Sequence, residues 1–180
     1  MHLTSTHERT ESVGRGLVER YEASQDRTLR SIESGWNTRL PGLEAFVAAR
    51  VPEPKPRFSA DFVAYDADGS VARVIEMKCS GLKMNSVGLK ERQVNAARAL
   101  GGDYWLYAAF DCRTEEPFLV VVRDPGRLPW KSITGEPEVP WAKKGSVGSE
   151  QTLHCMPSDI IAAGQRVHVS PAGPSETARR

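Results

Sequence analysis

Residues 58–79 read Phe58-Ser-Ala-Asp61-Phe-Val-Ala-Tyr65-Asp-Ala-Asp-Gly69-Ser-Val71-Ala-Arg-Val-Ile-Glu76-Met-Lys78-Cys79, and the fold turns on them. From Phe58 to Tyr65 the side chains alternate. Phe58, Ala60, Phe62 and Ala64 take one face, and Ser59, Asp61, Val63 and Tyr65 the other, which is the period of two that a strand imposes. Asp66 to Gly69 is a turn signal, because aspartate and glycine tolerate the backbone angles that reverse a chain. Val71 to Cys79 is then a second strand, with Ala72, Val74, Glu76 and Lys78 on one face and Val71, Arg73, Ile75 and Met77 on the other. An antiparallel hairpin is predicted, with Asp61 able to approach the strand that carries Glu76.

Working outward, Val13, Leu17 and Tyr21 fall four apart behind Ser12, predicting a helix capped by Ser12 that runs to about Leu29 or Ile32. A short helix through Leu43, Phe46 and Val47 ends at Pro52, Pro54 and Pro56, which forbid helix or central strand. After the hairpin come a loop from Ser80 to Gly88 and a helix from Leu89 to Leu100, which Gly101 and Gly102 end. Tyr104 to Phe110 and Phe118 to Arg123 are apolar strands joined by a turn over 111–117. Beyond Asp124-Pro125-Gly126 the pattern weakens, apart from a helix near Ser158 to Gln165, and residues 129–169 are given no role. Helices interleaved with strands predict an α/β fold with a mixed central sheet flanked by helices. Residues 1–11 are expected to be a flexible terminus, 12–169 a single domain with its core over 58–125, and 170–180 a disordered tail.

The chain has 180 residues, 39% of them hydrophobic and 26% charged, enough for one domain with a real core. It contains no apolar run of the roughly 18 residues that a membrane-spanning helix needs and no basic-then-apolar leader, so a cytoplasmic protein without membrane contact is expected. Cys79, Cys112 and Cys155 form no Cys-x-x-Cys pair, and His2, His7, His154 and His168 no ligand-spaced cluster. A bound metal would therefore be a hard cation held by oxygens. Net charge is only +1, yet six basic residues face two acids between Arg73 and Arg98. Arg73, Lys83, Lys90 and Arg92 in that segment are candidates to grip a phosphate backbone.

Two carboxylates and an amine converging at a sheet edge make a coherent site. Asp61 and Glu76 could hold Mg²⁺ or Mn²⁺, with the Met77 carbonyl as a further ligand, and Lys78 could orient a water or stabilise developing negative charge. A Glu-x-Lys tripeptide alone is more often a surface ion pair of slight energy; the apolar flanks and the upstream Asp61 separate this one from that class. On the following helix Leu89, Gln93, Ala96, Ala97 and Leu100 share a stripe, so Gln93 is a polar group on the buried face that needs partners. Those partners are a substrate or water on one account, and loop backbone on the other. Asp66-Ala-Asp-Gly69 starts like a calcium loop, but Val71 and Met77 stand where glycine and glutamate are required. Tyr104, Trp105 and Tyr107 suit a core strand better than a base-stacking platform.

Together, the runs Ser59-Ala-Asp-Phe-Val-Ala-Tyr-Asp-Ala-Asp-Gly69, Val74-Ile-Glu-Met-Lys-Cys-Ser-Gly81 and Glu91-Arg-Gln-Val-Asn-Ala-Ala-Arg-Ala-Leu-Gly-Gly-Asp-Tyr-Trp-Leu-Tyr107 resemble the NO VEIN C-terminal domain family. That family occurs in bacterial defence and restriction-associated proteins and is similar to the PD-(D/E)XK nucleases. The resemblance implies a restriction-endonuclease-like α-β-β-β-α-β core. It further implies that Asp61 is the metal-binding aspartate, Glu76 the second acid, Lys78 the lysine and Gln93 the helix-borne glutamine. The match is closest over 58–125 and looser over the first helix, which in relatives often adds a glutamate. Glu19 and Glu22 are the candidates, and Glu22 lies nearer the Val13/Leu17/Tyr21 stripe.

The expectation is a Mg²⁺- or Mn²⁺-dependent nuclease acting on DNA ahead of RNA, working in defence or restriction, as a homodimer or beside a larger partner. The alternatives are a catalytically inactive module of the same fold that binds nucleic acid or a protein, and an α/β domain whose Glu-x-Lys is only a surface pair.

Overall fold

The structure, a computed structural model, describes residues 5–32, 40–51, 59–82, 85–132, 151–167 and 169. The first element is a helix, α1 (Thr6–Ser24), that begins well before Ser12. Ser5 caps it: the Ser5 hydroxyl accepts from the Glu8 N–H while the Glu8 carboxylate accepts from the Ser5 N–H, a reciprocal capping box. Six residues expected to lie in a flexible terminus are therefore helical. The helix also stops early, at Ser24, where Asp26 adopts a left-handed backbone. A strand, β1 (Thr28–Ser31), then takes the place of the predicted helical continuation to Leu29 or Ile32.

Next come α2 (Leu43–Ala48), β2 (Phe62–Tyr65) and β3 (Val71–Cys79). β2 and β3 form the predicted antiparallel hairpin, with Phe62 opposite Ile75 and Val63 opposite Val74, and Gly69 supplies the positive φ of the turn. A strand not anticipated, β4 (Val87–Lys90), runs directly into α3 (Glu91–Leu100). β5 (Tyr104–Phe110) and β6 (Phe118–Arg123) then form a second hairpin. The last third adds β7 (Lys131–Ser132), β8 (Thr152–Cys155), α4 (Pro157–Ala163) and β9 (Gln165–Val167).

The main sheet has the order β1-β2-β3-β5-β6-β9. It is mostly antiparallel, but β3 and β5 run parallel, since the connection between them crosses over through α3. β4, β8 and β7 make a small second sheet. The pleat divides the core. Leu17 and Val18 of α1 pack with Phe62, Ile75, Tyr107 and Val121 on one face. Leu43 of α2, Ala96 and Ala97 of α3, and Ile160 of α4 cover Val63, Val74, Leu106 and Val120 on the other. Tyr104 and Tyr107 are fully buried, as their place in an apolar strand suggested. Among the described residues no helix is long and apolar enough to cross a membrane.

Candidate functional site

The hairpin register carries Asp61 to Glu76. β2 begins at Phe62, paired with Ile75, so Asp61 stands one step before the paired segment and opposite Glu76. Its backbone extends the ladder on both sides: the Asp61 N–H donates to the Ile75 carbonyl at 3.0 Å, and the Asp61 carbonyl accepts from the Ile32 N–H at 2.8 Å. Where the next rung would fall, the carboxylate takes over, its Oδ2 accepting from the Met77 N–H at 2.7 Å. In a strand a residue's N–H and C=O leave by the same edge, so the Met77 carbonyl points to the same side as its N–H, past the end of β2.

Glu76 is fully buried at the junction of β3 and α3. Its Oε1 accepts from the Lys78 ammonium at 2.5 Å and from the Gln93 amide at 2.6 Å, while its Oε2 has no hydrogen-bond partner among the described residues. Gln93 reaches it because the first turn of α3 lies over β3. The other end of the amide, Oε1, accepts the Lys90 backbone N–H at 2.8 Å and so satisfies one of the helix's leading donors. Gln93 thus finds one partner in the backbone at the end of β4, where a loop was expected, and another in a carboxylate of the site. Burial, with the Asp61 carboxylate adding to it, pushes Glu76 up to about 7, against the pull of Lys78 and Gln93. Asp61 is also raised, by burial first and then by the Glu11 carboxylate, and is opposed by the Met77 N–H and Lys78. Tyr104, which residue patterning gave no reason to place here, lies against Glu76. Burial and the two carboxylates hold its phenol protonated, and it donates to the Ser59 carbonyl at 2.8 Å.

A cleft of about 450 Å³ opens over this strand end, lined by Thr10, Glu11, Arg15, Asp61, Met77 and Lys78 among others. Glu76 does not line it and sits behind Lys78. The acid that α1 contributes is thus Glu11, held by His7 at 3.0 Å one turn earlier. Glu11 could have been found from the Ser5-x-x-Glu8 capping signature, which carries the helix back far enough to include it.

Neither predicted helix acid reaches the site. Glu19 is exposed and pairs with Arg15 at 2.9 Å. Glu22 lies eleven positions beyond Glu11, roughly 16 Å along the helix axis, and is fully buried on the opposite sheet face. There it accepts from the Tyr107 hydroxyl and sits 3.6 Å from both Arg73 and Arg27. Arg73 is a second correction. Its guanidinium donates to the Tyr107 hydroxyl at 2.8 Å and stacks 4.0 Å above the Trp105 ring, so it is a core residue and no grip for a phosphate backbone. Lys90 and Arg92 are exposed, with the Lys90 ammonium on Thr152 at 2.9 Å. Lys83 lies outside the described residues. Among the described residues no three His, Cys, Asp or Glu side chains come close enough to share a metal.

Residues 39–122, a little under half of the chain, match the family described as Protein NO VEIN, C-terminal. The match takes in α2, the β2–β3 hairpin, α3 and nearly all of the β5–β6 pair, and leaves α1 outside. No curated protein and no solved structure gives a significant match.

Proposed function

We propose that this chain is a metal-dependent phosphodiesterase acting on nucleic acid, DNA ahead of RNA, built on a restriction-endonuclease-like core of the PD-(D/E)XK kind. The observation that carries it is the meeting of Asp61, Glu76 and Lys78 at one strand end, with a buried Glu76 oxygen that has no hydrogen-bond partner among the described residues. With the short α2 and β4 set aside as insertions, the order α1, β1, β2, β3, α3, β5 is compatible with the α-β-β-β-α-β core of that superfamily.

The donors suit Mg²⁺ or Mn²⁺: two carboxylates and the Met77 carbonyl are hard oxygens, and such ions commonly take one or two carboxylates and fill the rest of their shell with water and phosphate. Burial and then the Asp61 carboxylate raise Glu76, and burial and then the Glu11 carboxylate raise Asp61, so a cation beside them would offset charge that the site now holds at a cost. When bound, the ion would acidify a water and offset charge on a phosphate. The chain's own residues do the rest. Gln93 fixes the rotamer of Glu76 from the helix, the Met77 N–H fixes that of Asp61, and Lys78 reaches the cleft with a positive charge where a pentavalent phosphate would gather negative charge. Among the described residues, Arg15 lines the cleft and Lys90 and Arg92 are exposed, three basic groups that a nucleic-acid backbone would meet.

Supercoiled plasmid and single-stranded DNA, each incubated with Mg²⁺, Mn²⁺ or EDTA, test this directly. Cleavage is expected with metal, absent with EDTA, and strongly reduced in Lys78→Ala. If no substrate is cut with either ion, or if Lys78→Ala cuts as fast as the parent, the enzyme hypothesis fails. One observation favours the second reading, a non-catalytic module in a defence system: Lys78 and Gln93 already spend donors on the same Glu76 oxygen, so the cluster holds itself together. Metal-independent retention of DNA without cleavage would select it.

A further inference from the structure

The fold brings two of the three cysteines together, away from any duty in holding metal or phosphate. Cys79 ends β3, and Cys112 lies just past the end of β5, 33 positions later. The parallel pairing of β3 with β5 sets Cys79 opposite Ala109. From there the Ser80 N–H donates to the Ala109 carbonyl and the Cys112 N–H to the Ser80 carbonyl, each at 2.8 Å. Asp111, with φ of 54°, bends the chain so that Cys112 turns back towards β3. The two cysteines belong to one core cluster on the α1 face of the sheet, their thiols neighbours there. Both are free, Cys112 is buried, and Cys79 lines the cleft beside Lys78, where solutes can reach it. Cys155 is buried elsewhere, under α4, with its sulfur on the Met156 carbonyl.

We infer that Cys79 and Cys112 are an oxidative modification site, a dithiol that a hydroperoxide converts to a reversible disulfide at the wall of the cleft. With the backbones so tied, the bond requires side-chain rotation to bring the sulfurs to bonding distance of about 2.05 Å. The Cys79 sulfur attacks one peroxide oxygen, the O–O bond breaks, and Cys79 becomes a sulfenic acid as one water leaves. The Cys112 sulfur then attacks the Cys79 sulfur, the S–O bond breaks, and a second water leaves with the thiol proton. Two thiols give up two electrons and two hydrogens, and one hydrogen peroxide is reduced to two waters. A single exposed thiol would go on to irreversible oxides; a resolving partner already in contact stops the ladder at the disulfide.

The bond would be felt in the cleft. The Cys79 sulfur fills the space that the missing side chain of Gly14 leaves on α1, and a Cβ built there would collide with it. Moving that sulfur towards Cys112 withdraws the contact on which α1 rests beside Glu11, and pulls on the residue next to Lys78.

The test does not depend on the phosphodiesterase reading. The full chain is treated with hydrogen peroxide, remaining thiols are alkylated, and the protein is digested with trypsin without reduction. A joined peptide is expected, 79–83 linked to 99–113, lighter by two hydrogens than the sum of its parts, with Cys155 alkylated and dithiothreitol restoring all three thiols. In Cys112→Ser, Cys79 should stop at sulfenic acid and be trapped by dimedone. Three free thiols after peroxide, sulfinic acid at Cys79 of the parent, or Cys155 in the cross-link would each overturn the inference. The parent's peptide map needs no variant to fold.

Discussion

Two glutamates, Glu22 and Glu76, are fully buried on opposite faces of the same sheet, and each keeps one oxygen without a hydrogen-bond partner among the described residues. Around Glu22 stand Tyr107, Arg27 and Arg73, the last pressed on Trp105. Its charge is met by two guanidinium groups. Around Glu76 stand one lysine, one amide and a phenol, with another carboxylate, Asp61, opposing it. The first cluster is closed and neutralised. The second is short of positive charge and lies one side chain behind an open cleft. Burial alone therefore does not set the two acids apart; the sign and number of their neighbours do.

The largest effect should come from the closed cluster. Glu22→Ala would leave Arg73 and Arg27 facing a buried void, and such a half-broken pair costs about 3–5 kcal/mol. Urea unfolding should register that loss while cleavage per folded molecule stays unchanged; a cleavage defect in the folded fraction would dissolve the contrast between the two clusters. Next, Lys78→Ala should lower metal-dependent cleavage by roughly 100- to 1,000-fold, the range for removing a group that meets developing charge, with little change in the urea midpoint.

The third is a pH dependence. Glu76 is raised from 4.5 to about 7, so between those values the folded protein holds a proton that the unfolded chain has lost. Stability contributed by Glu76 is constant below that window and falls as the pH rises through it, by about 3 kcal/mol in total. Glu76→Gln should flatten this part of the stability profile. Mg²⁺ added above pH 7 should raise the melting temperature of the parent and leave that of Glu76→Gln where it was. The smallest effect belongs to the far end of α1. Ser5→Ala removes one side of the capping box and should cost about 1 kcal/mol, seen as faster hydrogen exchange in the turn that holds Glu11, with the turn around Glu22 unaffected.

The hairpin, the two apolar strands and Gln93 were legible because alternation and a helical stripe are written directly in residues 58–123. The same alternation already put Arg73 on the face away from Glu76, so counting it in a basic patch ignored the pleat. β1 was hidden because Thr28 to Ser31 is only half-buried and follows a helix without proline or glycine to separate them. Glu11 was hidden by the apolar stripe itself: Val13, Leu17 and Tyr21 start later than the helix does, and its first two turns are held by the cap and by polar contacts. Tyr104 could not be read as a neighbour of Glu76, since their approach depends on a parallel pairing between strands that α3 separates.

The Asp61 carboxylate substitutes for a peptide group, accepting the N–H that β2 stops too soon to accept. The side chain is thus a splice in the backbone of the sheet as well as a charge in the cleft, and the two duties answer to different chemistry. An asparagine keeps an oxygen for the Met77 amide and deletes only the charge, whereas an alanine strips the amide bare and unravels the margin of the hairpin. A dead Asp61→Ala protein would say nothing about metal, and the Asp61→Asn protein is where the electrostatics of this cleft can be heard alone.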